Sequence, residues 1–264
     1  MVVFYYQKAY SPCDWAMGHL PPPLFDKLLM ARRKERADLR WYSTIDLARI
    51  ISEVGFSCNR CAKCCTRAFN GHVHLLDDDA DRVRKSDPAA LEPAFPFDFC
   101  DQHGTFYVSG YTIRSQQDGA GSCFFLEDGN CRIYPARPRV CGIYPYMLHR
   151  EPDEDGIIDW RQISGLNEHG EYHTEISREH ALSLARETKQ FEEAVLDHAI
   201  AFLEYTGDYF SRRGLRHIRK VYDDRLRAYR QGAVLEVLVY HRGRFEPWQV
   251  TAGKSVPVQN EYPE

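Results

Sequence analysis

The sequence predicts a mainly α-helical protein with small β elements, an α+β fold in which an irregular, cysteine-rich, metal-stapled core is flanked by helices. Three observations lead to this prediction. Apolar residues recur at helical spacing toward both ends of the chain, eight of the nine cysteines lie within residues 56–150, and that middle stretch shows little periodicity. So long an irregular stretch needs an internal staple in a compact protein, and clustered thiols can supply one.

These patterns divide the chain into four predicted segments. They are an N-terminal helical segment at 1–54, a cysteine-cluster metal-binding domain at 55–150, a C-terminal helical region at 151–250, and a flexible tail at 251–264. The boundaries follow changes in amino-acid composition: three prolines precede the first helix, and an acidic turn, EPDEDG, follows the cysteine-rich stretch.

Two helices are predicted before the cysteines. LFDKLLMARRKERADLRW, residues 24–41, is amphipathic and starts directly after Pro23, where a missing N–H is tolerated. A second helix is expected over 45–54, with Thr44 as its cap. Within the cysteine-rich stretch, regular structure is expected only at an alternating segment, 72–76, and a short helix near 78–86.

Helical spacing returns in the C-terminal half. A long helix is predicted over 177–205 with Ser177 as its cap, and another over about 215–230 ending at Gly232. The sequence AVLEVLVYHRGRFEPW then predicts two strands that turn at Arg242-Gly243.

Composition narrows the range of partners. The 264-residue chain is 44% hydrophobic and 27% charged with a net charge of -4, which gives no electrostatic reason to expect nucleic acid. No stretch resembles a secretion signal or is apolar enough to cross a membrane. We therefore expect a cytoplasmic protein with no membrane insertion, whose clustered cysteines serve metal or catalysis rather than disulfides.

The densest motif is CNRCAKCC, residues 58–65. Cys58, Cys61 and Cys64 are each separated by two residues, the arrangement with which ferredoxins hold three irons of a cluster while a remote thiolate holds the fourth. Cys65 follows directly, and because neighbouring side chains usually diverge, one of Cys64 and Cys65 is expected to ligate while the other faces a second ion or remains free. Candidates for the remaining bonds are Cys123, Cys131 and Cys141, with Cys100 less certain.

Other interpretations of the cysteines stay open. Buried thiols or disulfides fit poorly, because the motif is flanked by polar residues and adjacent cysteines do not readily bridge. A zinc ribbon would show two C-x-x-C knuckles, whereas one is clear here, so zinc would need irregular loops. His72 and His74 could add ligands, although an alternating pair of histidines is more typical of a solvated strand.

The cysteine blocks resemble those of a known family. CxxCxxCC, then CFFL at 123–126, then C-x-I-Y-x-x-R-P-x-x-C-x-x-Y-P at 131–145, are similar to the YkgJ-type cysteine-cluster proteins, which carry a zinc- or iron-chelating domain. The resemblance covers about residues 55–147. It implies that the metal ligands are Cys58, Cys61, Cys64, Cys65, Cys123, Cys131 and Cys141.

The resemblance also directs attention to two arginines. Arg137 matches the family's Arg-Pro pair, whereas Gly142 stands where members usually carry arginine. If that arginine contacts a cluster or an anion, Arg139 could replace it, so Arg137 and Arg139 are the expected cofactor-binding residues. Aromatic residues around the cysteines would exclude water and suit an iron–sulfur cluster.

The first functional hypothesis is a metal-binding protein that holds an iron–sulfur cluster, 4Fe–4S in first place, or zinc, and acts in electron transfer or metal handling with a protein redox or client partner. A structural zinc domain for protein interaction is the second. A third, an S-adenosylmethionine-dependent lysine methylase, rests on similarity to flagellin methylases in the cysteine region. The glycine-rich DGAGS at 118–122 follows no clear strand, so we interpret it as a turn that delivers Cys123.

Overall fold

A computed structural model describes residues 24–66, 73–146, 149–152, 158–161, 167–251 and 254–257. Its helices are α1 Leu24–Trp41, α2 Thr44–Val54, α3 Asp77–Ser86, α4 Arg139–Ile143, α5 Arg178–Arg213 and α6 Arg219–Arg230. Its strands are β1 His74–Leu75, β2 Leu91–Pro93, β3 Phe99–Cys100, β4 Phe106–Val108, β5 Tyr111–Ile113, β6 Leu126–Glu127, β7 Asn130–Cys131, β8 His149–Pro152, β9 Ile158–Arg161, β10 Leu235–His241, β11 Arg244–Thr251 and β12 Lys254–Pro257. The α+β prediction is confirmed.

The predicted helices are present, with corrections to three of them. Helix α5 continues to Arg213, beyond the predicted end at 205, and α6 begins at Arg219 rather than near 215. Helix α1 has the predicted limits, and Ser177 accepts a bond from His180 N at 3.2 Å at the start of α5. Helix α2, however, is capped by Ser43 and not by Thr44. Ser43 has extended backbone and its Oγ accepts from Asp46 N at 3.2 Å, whereas Thr44 is already the first helical residue.

The described backbone divides into two compact units. The cysteine unit comprises the described residues of 34–73 and 115–197, and the sheet unit comprises those of 5–33, 74–114 and 198–264. The predicted 55–150 segment thus contributes to both units. The four-segment division of the sequence remains a prediction.

The cysteine unit has a helical apolar core. It is formed by the C-terminal half of α1, by α2 and by the N-terminal half of α5. Leu39, Ile51, Ala185 and Leu196 are almost fully buried in it. Ion pairs such as Arg36–Asp197 and Arg40–Glu193 lie at the surface of the same helices. Because exposed ion pairs contribute little, apolar burial is the main source of stability here.

The sheet unit is built on a five-stranded sheet of order β12-β11-β10-β4-β3, with β10 parallel to β4 and the other pairs antiparallel. A second sheet has the order β1-β5-β2. Strands β10 and β11 turn at Arg242 and Gly243, which confirms the predicted hairpin. Their φ angles of 46° and 77° suit a two-residue turn whose twist matches that of the strands.

Aromatic side chains fill the sheet unit. Phe99, Tyr107, Phe202, Phe210 and Tyr240 form its buried cluster. Most of their ring pairs are tilted or edge to face, for example Tyr107 with Phe210 at 4.8 Å between centroids, whereas Phe99 and Phe202 are stacked. Aromatic pairs favour both edge-to-face and offset-stacked arrangements.

Most strands of residues 74–114 were not predicted, because each has only two or three residues and no alternation develops over so short a length. The segment 251–264, expected to be a tail, contains β12, which pairs with β11. In the part of the chain that the structure describes, no helix is long and apolar enough to span a membrane.

Candidate metal centre

A glycine ends helix α2 and directs the chain into the cysteine loop, residues 58–65. Gly55 has a φ of 52°, and its N–H donates to Ile51 O at 2.9 Å, which closes the helix. A Cβ at this position would lie 2.3 Å from the carbonyl oxygen of Thr174. Position 55 therefore needs glycine both for its left-handed backbone and for the close approach of another segment.

The cysteine loop itself contains two left-handed residues that are not glycine. Arg60 and Ala62 have φ angles of 57° and 61°. Left-handed backbone costs such residues roughly 1–2 kcal/mol each, so the surroundings must hold it. A 3₁₀ turn over Lys63–Cys65 follows, in which Cys65 N donates to Ala62 O at 2.9 Å. These reversals bring four thiols of one short segment to a shared space.

That space is a cavity of about 140 Å³. Thiols from two distant parts of the sequence line it, and aromatic rings form part of its wall. The lining cysteines are Cys58, Cys61, Cys64, Cys65 and Cys131, and the lining rings are Phe56, Tyr134 and His169. The structure therefore brings the loop cysteines and a downstream cysteine together.

Cys123 is fixed against the cysteine loop by its backbone. Its N–H donates to Cys65 O at 2.7 Å, which is a direct link between the two cysteine segments. The DGAGS sequence forms the turn before it: Asp118 Oδ1 accepts from Ser122 N at 3.1 Å, and Ser122 O accepts from Gln116 N at 2.7 Å. The interpretation of this stretch as a turn that delivers Cys123 is confirmed.

Cys131 and Cys141 reach the site from two different elements. Cys131 pairs with Leu126 in the β6–β7 hairpin, whose turn at Asp128 and Gly129 has φ angles of 49° and 74°. Cys141 lies in the short helix α4, where its N–H donates to Pro138 O at 3.0 Å. The three downstream thiols therefore depend on three separate local structures.

The thiols lie close enough to affect one another's charge. A hydrogen bond from Cys64 lowers the pKa of Cys65 to about 7, against the effect of burial, and Arg137 lowers it as well. The same pairing raises the pKa of Cys64. Burial, and then the charges of Cys65 and Cys131, raise the pKa of Cys123 to about 11. Without a cation, these groups resist collective ionisation because their negative charges repel one another.

Cys131 and Cys141 show the same behaviour. Burial raises the pKa of each thiol, and Cys65 raises it further. Cys141 is exposed as a residue, whereas its sulfur is desolvated by the protein around it. A bound metal cation would reverse this repulsion, because coordinating thiols lose their protons to the metal. The donor set therefore fits a thiolate-bound metal or cluster.

The thiols surround a cavity and do not converge on one point. Among the described residues, no three Cys, His, Asp or Glu side chains stand in ready ligand geometry. Binding would therefore require the side chains to rotate toward the metal. This is expected of metal sites whose formation is coupled to folding.

Arg137 faces the thiols. Its guanidinium lies 4.2 Å from the centre of the Tyr134 ring, with Arg60 on the same ring at 4.7 Å. Its positive charge lowers the pKa of Cys65, Cys131 and Cys141. Arg139, the other predicted arginine, is an exposed residue at the start of α4.

Sequence reasoning missed His169. This side chain is 5% exposed and lines the cavity, and its Nε2 lies 2.5 Å from Tyr144 Oη. It comes close to the cysteine loop because residues 171–174, which follow it, run antiparallel to 54–57, with Ser57 and Glu171 exchanging two backbone bonds of 2.8 and 2.9 Å. No local pattern signals this pairing, which joins segments more than a hundred residues apart.

The remaining candidates lie elsewhere. Cys100 is in the sheet unit, fully buried in β3, with its Sγ 3.6 Å from Asp101 O. His74 pairs with Thr112 in the same unit. Cys13 and His72 lie outside the described residues.

Comparisons with known proteins agree with the cysteine motifs. Residues 57–169 match the model of the family described as "CxxCxxCC: Putative zinc- or iron-chelating domain", which confirms the resemblance. The chain is also 28% identical, over 102 residues, to an uncharacterized protein of Methanocaldococcus jannaschii; the match covers 37% of this chain and 48% of that protein. The chain thus spans about half the length of that relative. No solved structure gave a significant match.

Proposed function

We propose that this chain, whose residues 57–169 belong to the CxxCxxCC family of zinc- or iron-chelating domains, holds an iron–sulfur cluster of the 4Fe–4S type and acts in electron transfer or metal handling. One observation carries the proposal: the four cysteines of the loop 58–65 and Cys131 of the downstream segment line a single cavity of about 140 Å³. Metal binding in general is what the family implies, and the cluster and the activity are our extension.

The cavity has room for a cluster. A space of roughly 10–15 Å³ suffices for one water molecule. The observed cavity is about 140 Å³, which suits a group of several atoms. The cysteine-rich donor set supports a cluster, since iron–sulfur clusters are held mainly by cysteine thiolates.

The protein supplies both the donors and the charge that a cluster requires. Cys58, Cys61 and Cys64 have the ferredoxin spacing, and all three line the cavity. Arg137 places positive charge beside the thiols and offsets the negative charge of a thiolate-bound centre. The rings of Phe56 and Tyr134 limit access of water, which affects the reduction potential of such a centre. A bound cluster would supply one-electron chemistry.

The exposed position of the cysteine loop suits transfer of electrons or metal to or from another protein. Cys58 and Cys61 are exposed, so a partner could approach the site closely. The DGAGS stretch is a turn that positions Cys123, and it offers no nucleotide site of the kind that follows a strand. We therefore propose a protein redox or client partner.

A structural zinc domain is the second candidate. The observation that favours it is the weak regular structure of residues 115–146, whose strands have two residues each and whose α-helix has five. Zinc bound by cysteine is a common means of holding such irregular segments together.

The deciding experiment is anaerobic purification of the whole chain, followed by measurement of iron, zinc and acid-labile sulfide per chain and of visible absorption before and after reduction. We expect iron and sulfide in equal amounts and an absorption band that a reductant bleaches. Stoichiometric zinc without sulfide would overturn the cluster in favour of the structural role. Absence of both metals would overturn metal binding altogether.

A matched pair of variants tests the assignment of the thiols. Cys58→Ser combined with Cys61→Ser should reduce the metal content, whereas Cys100→Ala, which alters a buried thiol of the sheet unit, should leave it unchanged. Equal metal content in the two variants would contradict the proposed ligands.

A further inference from the structure

The number of donors at the site exceeds what one metal centre uses. Structural zinc and iron–sulfur clusters each take four protein ligands. The cysteine unit offers seven thiols in its described residues, which leaves three beyond one complete set. An eighth donor would complete two sets of four.

Cys65 belongs with the three downstream thiols. Its carbonyl oxygen accepts from Cys123 N at 2.7 Å, which brings the two residues side by side. Leu126 N donates to Cys123 O at 2.9 Å, and Leu126 pairs with Cys131 in the β6–β7 hairpin, so one short hairpin carries two of the downstream thiols. Cys65, Cys123, Cys131 and Cys141 therefore form a natural four-thiol set.

Cys58, Cys61 and Cys64 remain, and His169 stands beside them. Ser57, next to Cys58, exchanges two backbone bonds with Glu171, which brings the segment that carries His169 alongside the start of the cysteine loop. Lys63 Nζ donates to Glu168 O at 3.1 Å, which ties the 3₁₀ turn of the loop to the residue before His169. All three cysteines line the cavity, and so does His169.

The backbone holds His169 in this place by close packing. Gly170 has a φ of 71°, and a Cβ there would lie 2.3 Å from Cε2 of the Phe56 ring. The Phe56 and His169 rings are 6.2 Å apart, and Tyr144 and Tyr172 pack around them. The imidazole is therefore fixed at the wall of the cavity.

Tyr144 can set the tautomer that ligation requires. Histidines that bind metal through one nitrogen generally donate the other N–H to an oxygen. The 2.5 Å contact between His169 Nε2 and Tyr144 Oη fits that role, with Nε2–H donating to the phenol oxygen. Nδ1 is then the nitrogen through which His169 would bind a metal.

We infer that His169 is a metal ligand and completes a centre with Cys58, Cys61 and Cys64, while Cys65, Cys123, Cys131 and Cys141 form a second centre. The inference rests on the proposed metal binding and specifies its ligands and stoichiometry. A cysteine-rich set with one histidine is a usual ligand set for zinc, and histidine also replaces cysteine in some iron–sulfur centres.

The test compares metal per chain in full-length protein prepared anaerobically. The variants are His169→Ala, His169→Cys, Cys123→Ser with Cys131→Ser, and His180→Ala as an exposed-histidine control. We expect two centres in the unchanged chain and loss of half the metal in His169→Ala and in the double cysteine variant. We expect full metal in the His180→Ala control and recovery in His169→Cys, since a thiolate can replace the imidazole.

Other outcomes would contradict the inference in distinct ways. Full metal content in His169→Ala would exclude His169 as a ligand. Loss of all metal from the double cysteine variant would indicate one shared centre. An unchanged chain without metal would instead overturn the proposed function. Should His169→Ala not fold, X-ray absorption of the unchanged protein decides, since a centre bound by sulfur alone, without a nitrogen ligand, would also exclude His169.

Discussion

The region around the cysteines and the sheet unit are held together by different means. Within the described residues 56–66 and 115–146, the buried apolar side chains are few: Phe125, Pro138, Ile143, Pro145 and Tyr146. Apolar burial is the main favourable contribution to folding and has to offset the conformational entropy lost when the chain is ordered. So few buried side chains over two segments of this length contribute little. The comparison teaches that this region needs a further source of stability, which a bound metal would supply.

The sheet unit needs no such addition. Phe106, Val108, Leu235 and Val239 are almost fully buried along the paired strands β4 and β10, and an aromatic cluster packs in the same unit. A group of charged residues then joins the β10–β11 hairpin to α3. His241 lies 3.1 Å from Asp77 Oδ1 through Nδ1 and 3.0 Å from Asp81 Oδ1 through Nε2.

The largest expected effect comes from removal of the metal. In a variant that combines Cys58→Ser and Cys61→Ser with Cys123→Ser and Cys131→Ser, we expect loss of both centres and loss of amide hydrogen-exchange protection in 56–66 and 115–146, with protection kept in β4, β10 and β11. Metal binding contributes to folding directly, by about 10–16 kcal/mol in zinc-finger peptides. Exchange followed by mass spectrometry measures this. Unchanged protection in both cysteine segments would show that the region holds its structure without metal.

A substitution in the core of the sheet unit should lower the stability of that unit and leave the metal content unchanged. Phe106 is fully buried, with its ring 5.0 Å from Phe97 and 5.2 Å from Tyr222. Phe106→Ala should lower the free energy of unfolding of the sheet unit by about 3–5 kcal/mol, because it leaves a cavity. Denaturant unfolding measures the loss, and elemental analysis of the folded protein should find the metal content unchanged. Loss of metal in this variant would remove the contrast between the two regions.

A change of pH is expected to have a smaller effect on the stability of the sheet unit. Carboxylates accept hydrogen bonds, so a His241 that bonds Asp77 and Asp81 through both nitrogens must be the charged imidazolium. Although burial opposes the charge, the hydrogen bond and charge of Asp77 raise the pKa of His241. Burial likewise opposes ionisation of Asp77, yet His241 and the neighbouring donors lower the pKa of that carboxyl.

The signs of these shifts define a pH window. A raised histidine pKa gives stability that is complete below the ordinary value of about 6.5 and is lost as pH rises through the raised value. A lowered Asp77 pKa gives stability that is complete above the ordinary value of about 4 and is lost on acidification. Unfolding of the sheet unit between pH 5 and 9 should therefore show a loss of about 1–3 kcal/mol that is absent in His241→Gln. An identical pH profile in the two proteins would contradict a charged His241 that is bonded to Asp77 and Asp81.

The smallest effect is expected at Cys13. Its position in the sequence lies outside the cysteine blocks, so Cys13→Ser should change neither the metal content nor the exchange protection of 56–66 and 115–146. Elemental analysis against the unchanged chain checks this. Metal loss in Cys13→Ser would mean that Cys13 was wrongly excluded from the metal ligands.

The sequence predicts long elements well and short ones poorly. Helix α1 and the hairpin at Arg242-Gly243 were predicted because many residues repeat one period, or because a two-residue turn has its own chemistry. The strands of 74–114 were missed because two or three residues carry no period and their pairing is decided by distant partners, such as β10 for β4. The cap of α2 was assigned one residue late, since Ser43 and Thr44 have the same capping chemistry and only the backbone distinguishes them.

What the sequence alone determined is the chemistry of the site: thiols at ferredoxin-like spacing, further cysteines in order, and Arg137 among them, because donor type and local spacing are properties of neighbouring residues. What only the tertiary structure decided is which distant residues meet. The pairing of Ser57 with Glu171 brings His169 to the cavity, and the bond from Cys123 to Cys65 joins the two cysteine segments. Such contacts depend on backbone pairing and packing across a hundred residues, and no local pattern encodes them.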